Sequence, residues 1–224
     1  MMNYKRGMRG DTVRRIQQAL AKAGLKVIVD GMFGPITEEA VKEFQSRRHL
    51  KADGIVGAAT MAALMLTTFT LKKSKRSINE IIIHCTATRM GRDYTIDEIR
   101  RDHMARGFSD VGYHYVIYRD GTIVNGRDVD IIGAHCTGHN AHSIGISYVG
   151  GLDTDGKTPR DTRTEEQRAS MLSLLVDLRK MYPSAKIIGH RDTSPDKNGN
   201  HLIESWEWVK ACPCFDAAKE YRRI

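Results

Sequence analysis

The 224-residue sequence predicts a small three-helix domain followed by an α/β domain, an α+β type in which a mixed sheet is flanked by helices. Residues 1–66 contain an internal repeat of Asp-Gly turns. Residues 67–77 are polar and basic with no strong period. From residue 78 onward, short apolar strands alternate with capped helices. Alternation of that kind builds a sheet with helices packed on its faces. The expected organisation is therefore 1–66, a connector over 67–77, and a second domain over 78–224.

Each element has its own signals. Asp11 is placed to cap a first helix, Val13, Ile16 and Leu20 form its apolar stripe, and Gly24 closes it. Asp30-Gly31-Met32-Phe33-Gly34 precedes Thr37 and Ala40, and Asp53-Gly54-Ile55-Val56-Gly57 precedes Thr60 and Ala63 at the same offsets. In both copies an Asp-Gly turn leads into a helix whose start Thr marks. Asp30, Gly31, Asp53 and Gly54 thus read as turn formers, with Phe33 and Phe44 in the core. Thr67 to Ser77 reads as a linker. Glu80–Cys85 is a short apolar strand, and Thr95-x-x-Glu98 is a capping box opening a helix toward Arg106. Tyr113–Tyr118 and Thr122–Asn125, split by Arg119-Asp120-Gly121, read as a hairpin. Ser143–Val149 is a further strand. Thr164-x-x-Gln167 caps a helix with Met171, Leu174, Leu175 and Leu178 on one side, and Lys186–Gly189 is a strand running into His190.

Composition narrows the function classes. A hydrophobic fraction of 41% and a charged fraction of 28% are ordinary for a globular chain. No apolar stretch approaches the roughly 20 residues of a membrane span. The N-terminus lacks the apolar region of a secretory signal, so a cytosolic start is expected. Four cysteines, at 85, 136, 212 and 214, include no Cys-x-x-Cys pair and fit a reduced compartment better than a disulfide scaffold. The formal charge of +8 is uneven: residues 1–66 carry 11 Lys/Arg against 6 Asp/Glu, whereas 78–224 carry 20 against 21. Lys72, Lys73, Lys75 and Arg76 crowd the connector. Such a field favours an anionic polymer, or is simply a solvated face. No nucleic-acid recognition motif accompanies it, so nucleic acid is not an expected partner.

Three metal-ligand types stand in three separate motifs. His84 follows Ile81-Ile82-Ile83, His190 follows Ile187-Ile188-Gly189, and Cys212 lies in Lys210-Ala211-Cys212-Pro213. Two imidazoles and a thiolate suit Zn²⁺ and leave a fourth position open, the mark of a catalytic rather than a structural site. Both histidines fall at strand ends, where ligands converge on one rim of a sheet. Cys85 rivals His84, but neighbouring strand residues face opposite ways, so only one of them faces the site. Cys214 rivals Cys212. The denser group of His135, Cys136, His139 and His142 is the competing metal site. The Asp/Asn-rich run from Asp192 to Asn200 lacks the twelve-residue ligand pattern of an EF-hand and reads as a surface loop.

Two resemblances bear on these alternatives. Gly10-Asp11-x-Val13, Ile16-Gln17-x-x-Leu20, the two Asp-Gly motifs and Ala40-Val41-x-x-Phe44-Gln45 resemble the peptidoglycan-binding module of wall hydrolases, over nearly all of residues 1–66. From about Ile78 to the C-terminus, further motifs look like the zinc-dependent N-acetylmuramoyl-L-alanine amidases, nearest to the T7 lysozyme type. They are His84-Cys85-Thr86-Ala87-Thr88, Asp110-Val111-Gly112-Tyr113-His114-Tyr115, Arg119-Asp120-Gly121-Thr122, His139-Asn140-x-x-Ser143-Ile144-Gly145-Ile146 and Lys210-Ala211-Cys212-Pro213-x-Phe215-Asp216. The segment between His190 and Cys212 is longer than in that type.

That resemblance implies zinc ligands at His84, His190 and Cys212, and catalytic residues at Tyr113 and Lys210. It places His135 along the groove, as a substrate contact or a scaffold histidine. The implied reaction is zinc-assisted hydrolysis of the amide between N-acetylmuramic acid and L-alanine of the stem peptide, by a phage endolysin. The expected partner is bacterial peptidoglycan and the expected state a monomer, held in the host cytoplasm until the membrane is permeabilised. The alternative is a non-catalytic peptidoglycan-recognition protein.

Overall fold

Apolar residues spaced three and four apart fold the first third of the chain into three helices, α1 (Asp11–Lys22), α2 (Pro35–Arg47) and α3 (Ala58–Met65), in a computed structural model that describes residues 3–65 and 69–224. Val13, Ile16, Leu20, Phe33, Val41, Phe44, Val56 and Leu64 form their common core. Three helix starts differ from expectation, the third being α3, which opens at Ala58 so that Thr60 lies inside its first turn. Asp11 is the first helical residue, and Gly10, at φ 126°, holds the N-cap position. Pro35 opens α2, where a ring-fixed φ suits the first turn and the missing N–H costs nothing, so Thr37 lies inside that turn.

The repeat has a physical cause in two buried glutamines. Gln17 Nε2 donates to Asp30 Oδ1, the Met32 carbonyl and Thr37 Oγ1, each at 2.9 Å, and its Oε1 accepts Gly31 N–H at 2.8 Å. Gln45 does the same with Asp53, Ile55, Thr60 and Gly54. One amide therefore ties each Asp-Gly loop to the helix that follows it, and Asp30 and Asp53 act as turn formers, accepting Met32 and Ile55 N–H.

The second unit is a five-stranded sheet. Its strands are β1 (Glu80–Cys85), β3 (Tyr115–Ile117), β4 (Ile123–Asn125), β5 (Ser143–Tyr148) and β7 (Lys186–Gly189), in the order β4-β3-β5-β1-β7. The two-residue strands β2 (Thr88–Arg89) and β6 (Gly151–Leu152) pair beside it. All pairings in the main sheet are parallel except the β3–β4 hairpin. Helices α4 (Ile96–Ala105), α5 (Glu165–Met181) and α6 (Ala217–Glu220) complete it. Both expected capping boxes form, at Thr95/Glu98 and Thr164/Gln167. Met171, Leu174, Leu175 and Leu178 of α5 are fully buried against the sheet. Ile81, Ile82 and Ile83 are also fully buried, as a central parallel strand covered on both faces requires.

The expected connector is not a free spacer over its described part; Leu66, Thr67 and Thr68 lie outside the described residues. Phe69 is buried in the sheet's core, its ring 5.6 Å from that of Tyr115. Lys72 bridges Asp128 and Asp130 at 2.9 and 3.0 Å. The Arg76 guanidinium donates to the carbonyls of Val129, Asn140, Ala141 and Ser143. Two of the four connector charges thus serve folding, which weakens the expectation of a free basic field there. The helical domain also touches the sheet domain: α3 packs on α5, and Arg15 pairs with Asp120 of the hairpin.

Candidate metal centre and cleft

The parallel register of β1 and β7 places two strand ends side by side, with Ile83 opposite Gly189. The next residue of each chain is a histidine, and both rings turn to the same rim. His84 Nδ1 lies 3.1 Å from His190 Nδ1, and Cys212 Sγ lies 3.9 Å from His84 Nδ1. Among the described residues this is the only group of three or more His, Cys, Asp or Glu donors that converge, all within 4.8 Å of one another. Donors around a tetrahedral Zn²⁺ at bond lengths of about 2.0–2.3 Å stand roughly 3.3–3.7 Å apart, so the set fits that ion. Two imidazole nitrogens facing each other this closely must share a proton or a cation. Cys85 N–H donates to Cys212 Sγ at 3.2 Å.

The rivals stand outside the converging set, although Cys85 abuts Cys212 and Cys136 abuts His190. Cys85 Sγ faces Cys214 Sγ at 3.9 Å, and Cys214 Sγ contacts the Gly151 carbonyl. His139 pairs with Glu80 at 2.8 Å, His142 with the Ser77 carbonyl, and Cys136 with Thr193.

His135 belongs to the support of His84. Its Nδ1 is 3.1 Å from His84 Nε2, and its Nε2 is 3.4 Å from Ser143 Oγ. One tautomer assignment satisfies the whole chain: His84 Nε2–H donates to His135 Nδ1, His135 Nε2–H to Ser143 Oγ, and the Ser143 hydroxyl to the His139 carbonyl at 2.8 Å. That assignment leaves His84 Nδ1 as the free lone pair. The ring is clamped between two glycines. A Cβ on either Gly133 or Gly145 would lie 2.5 Å from His135 Cδ2. Burial, with His114 next, pushes the His135 pKa down to about 2; burial, then His135 and His190, also lowers that of His84. Both imidazoles are held neutral.

Tyr113 and Lys210 line the same cleft, which has a volume of about 210 Å³. The Tyr113 ring lies 5.3 Å from that of His84. Burial, with Cys212 and Cys85, raises the pKa of its phenol, so it keeps its proton. Lys210 is exposed at the cleft mouth.

A family model described as N-acetylmuramoyl-L-alanine amidase matches residues 74–203. The chain belongs to the N-acetylmuramoyl-L-alanine amidase family. A second model, described as a putative peptidoglycan binding domain, matches residues 9–64 of this amidase. The endolysin of Klebsiella phage KP32 is 37% identical over 149 residues, 66% of this chain and 89% of that protein. The endolysin of Escherichia phage T7 is 37% identical over 151 residues, 67% of this chain and 90% of that protein. Among solved structures, the amidase LysC from Clostridium intestinale shares the fold, with a TM-score of 0.50, 24% identity, and coverage of 68% of this chain and 91% of that one. Lys210 and Cys212 lie beyond the stretch that the amidase model matches, so their place in the site rests on geometry.

The cleft also holds residues that the sequence reading passed over. Tyr94, His103, Arg106 and Phe108 line it as well. His103 and Arg106 close the last turn of α4, with Phe108 just beyond it. The spacing His-x-x-Arg on a helix running toward Gly112-Tyr113 was the available signal.

Proposed function

We propose that this amidase is a phage-type endolysin that hydrolyses the amide between the lactyl group of N-acetylmuramic acid and L-alanine of the stem peptide, with zinc held by His84, His190 and Cys212. The observation that carries the reading is the convergence of two imidazoles and a thiolate beside Tyr113 and Lys210 in one cleft. Zinc bound there supplies a Lewis acid and a water whose pKa is lowered toward 7. His135 holds His84 in the liganding tautomer. Tyr113, still protonated, orients the attacking water by a hydrogen bond at Oη. Lys210 brings a positive charge to the cleft mouth, where a tetrahedral oxyanion gains a few kcal/mol per well-placed donor. The helical domain tethers the enzyme to peptidoglycan and raises the local substrate concentration. Among the described residues no helix is long and apolar enough to cross a membrane. The working picture is a monomer that acts on the wall once it gains access from the host cytoplasm.

Mass analysis of digested peptidoglycan tests the reaction: free stem peptides beginning at L-alanine should appear beside intact glycan strands. New reducing ends would identify a glycosidase instead. Cys212→Ser should abolish hydrolysis and bound zinc while keeping pull-down on cell walls, which a purely recognising protein would keep unchanged in every respect. Hydrolysis that survives zinc removal would overturn the metal assignment.

A further inference from the structure

The Asp/Asn-rich loop between His190 and Cys212 fails as a metal loop when read from Asp192, but not when read from Asp196. From there the chain runs Asp196-x-Asn198-x-Asn200-His201-Leu202-x-Glu204-x-x-Glu207. These are side-chain oxygens at positions 1, 3, 5, 9 and 12 of a twelve-residue loop, with a backbone carbonyl at position 7, the ligand register of an EF-hand. The departure is His201 at position 6, where glycine normally makes the sharp turn. His201 nonetheless has φ 65°, the left-handed conformation that glycine is used to provide.

We propose that residues 196–207 form a second metal site, selective for Ca²⁺. Backbone hydrogen bonds fold the loop. Asp196 accepts from Gly199 and His201 N–H, each at 2.7 Å, Asn198 Oδ1 from Asn200 N–H, and Asn200 Oδ1 from Leu202 N–H. Turns like these occur without any ion. What points to a cation is Glu207, which is fully buried. Its two oxygens accept only Lys197 N–H at 2.7 Å and Glu204 N–H at 2.8 Å, and among the described residues it forms no ion pair. A buried carboxylate without a countercharge is costly, and a bidentate glutamate at position 12 is where an EF-hand places its strongest ligand.

The donor set selects the ion. A long flexible loop of oxygen ligands with a bidentate carboxylate suits Ca²⁺, whereas Mg²⁺ demands a tight octahedron and retains its waters. With asparagine at positions 3 and 5, the ligand charge is low, and a dissociation constant of about 10⁻⁴–10⁻³ M is expected. The loop is fastened beside the metal centre. Val209 N–H donates to Ser194 Oγ at 3.0 Å, and the Trp208 ring lies against the Arg191 guanidinium at 4.3 Å. A cation at 196–207 would therefore stiffen the segment that delivers Lys210 and Cys212. The site is independent of the zinc assignment.

Terbium luminescence tests it on the full-length, zinc-loaded protein, because Trp206 and Trp208 flank Glu207 and can sensitise the ion. Saturable Tb³⁺ emission should appear and be displaced by Ca²⁺ at least ~10-fold more effectively than by Mg²⁺. Glu207→Gln should weaken it at least ~10-fold, and so should Asn198→Ala/Asn200→Ala, a change confined to exposed side chains that leaves the buried carboxylate in place. Circular dichroism checks that both variants fold. His84→Ala should leave Tb³⁺ binding unchanged. No saturable emission, emission indifferent to the loop variants, or emission lost with His84 would each overturn the proposal.

Discussion

His84 shows how much one residue's chemistry depends on its neighbours. Its Nδ1 faces His190 and Cys212 while its Nε2 is held by His135, which is itself pinned between Gly133 and Gly145. Removing that support should act on the metal before it acts on the fold. His135→Ala is expected to lower zinc affinity and amidase rate by about 10–100-fold, as partners behind metal ligands typically do. Competition with a chromogenic chelator measures it, and unchanged affinity would return His135 to the role of substrate contact. At this scale the sequence was legible where local motifs were specific, as at His84, His190 and Cys212. It was not legible at the buried Glu207, because burial is set by residues that fold around it.

At the scale of elements, two histidines tie loops and strands together through backbone N–H groups. His103 at the end of α4 accepts Gly112 N–H at 2.9 Å, and His114, just before β3, accepts Gly145 N–H of β5 at 2.9 Å. Burial is the main cause that lowers each from the ordinary 6.5 to about 4. Unfolded, they take up protons near pH 6.5; folded, only near pH 4. Between those values the unfolded state binds more protons, so stability rises with pH. Their contribution is present above pH 6.5 and disappears as the pH falls through 4. Urea midpoints of the zinc-free protein, measured from pH 7 to pH 4, should decline across that window; a flat profile would show that neither histidine is neutral in the native state. The strands themselves were readable from apolar runs, and β1 and β7 were expected with their observed limits. Helix starts were less so, because Asp11 and Thr37 carry capping chemistry that Gly10 and Pro35 displaced through backbone geometry.

For the molecule as a whole, the matched part of the T7 relative accounts for 90% of that protein but 67% of this chain. The helical domain is thus an addition to a unit that in its relative stands nearly alone. Removing residues 1–66 should leave cleavage of a soluble muramyl peptide within about twofold while lowering lysis of intact walls by at least ~10-fold, the loss expected when a tether is cut. Equal losses on both substrates would mean instead that α3 and the Arg15–Asp120 pair support the sheet domain. The docking of Phe69, Lys72 and Arg76 places the cut before residue 69, since these residues complete the sheet domain.

The sequence by itself determined the two-domain order, the repeat, the strands, the two capping boxes and the three ligand types, because each is written in short-range spacing. The tertiary structure decided what spacing does not encode. The β1–β7 register brings together histidines 106 residues apart. Packing separates Cys212 from Cys214 and His84 from Cys85, sets His135 against His84 while it still lines the cleft, and folds the connector onto the sheet. Burial without a countercharge marks Glu207. Each of these follows from which surfaces exclude water, and that is fixed only when distant segments meet.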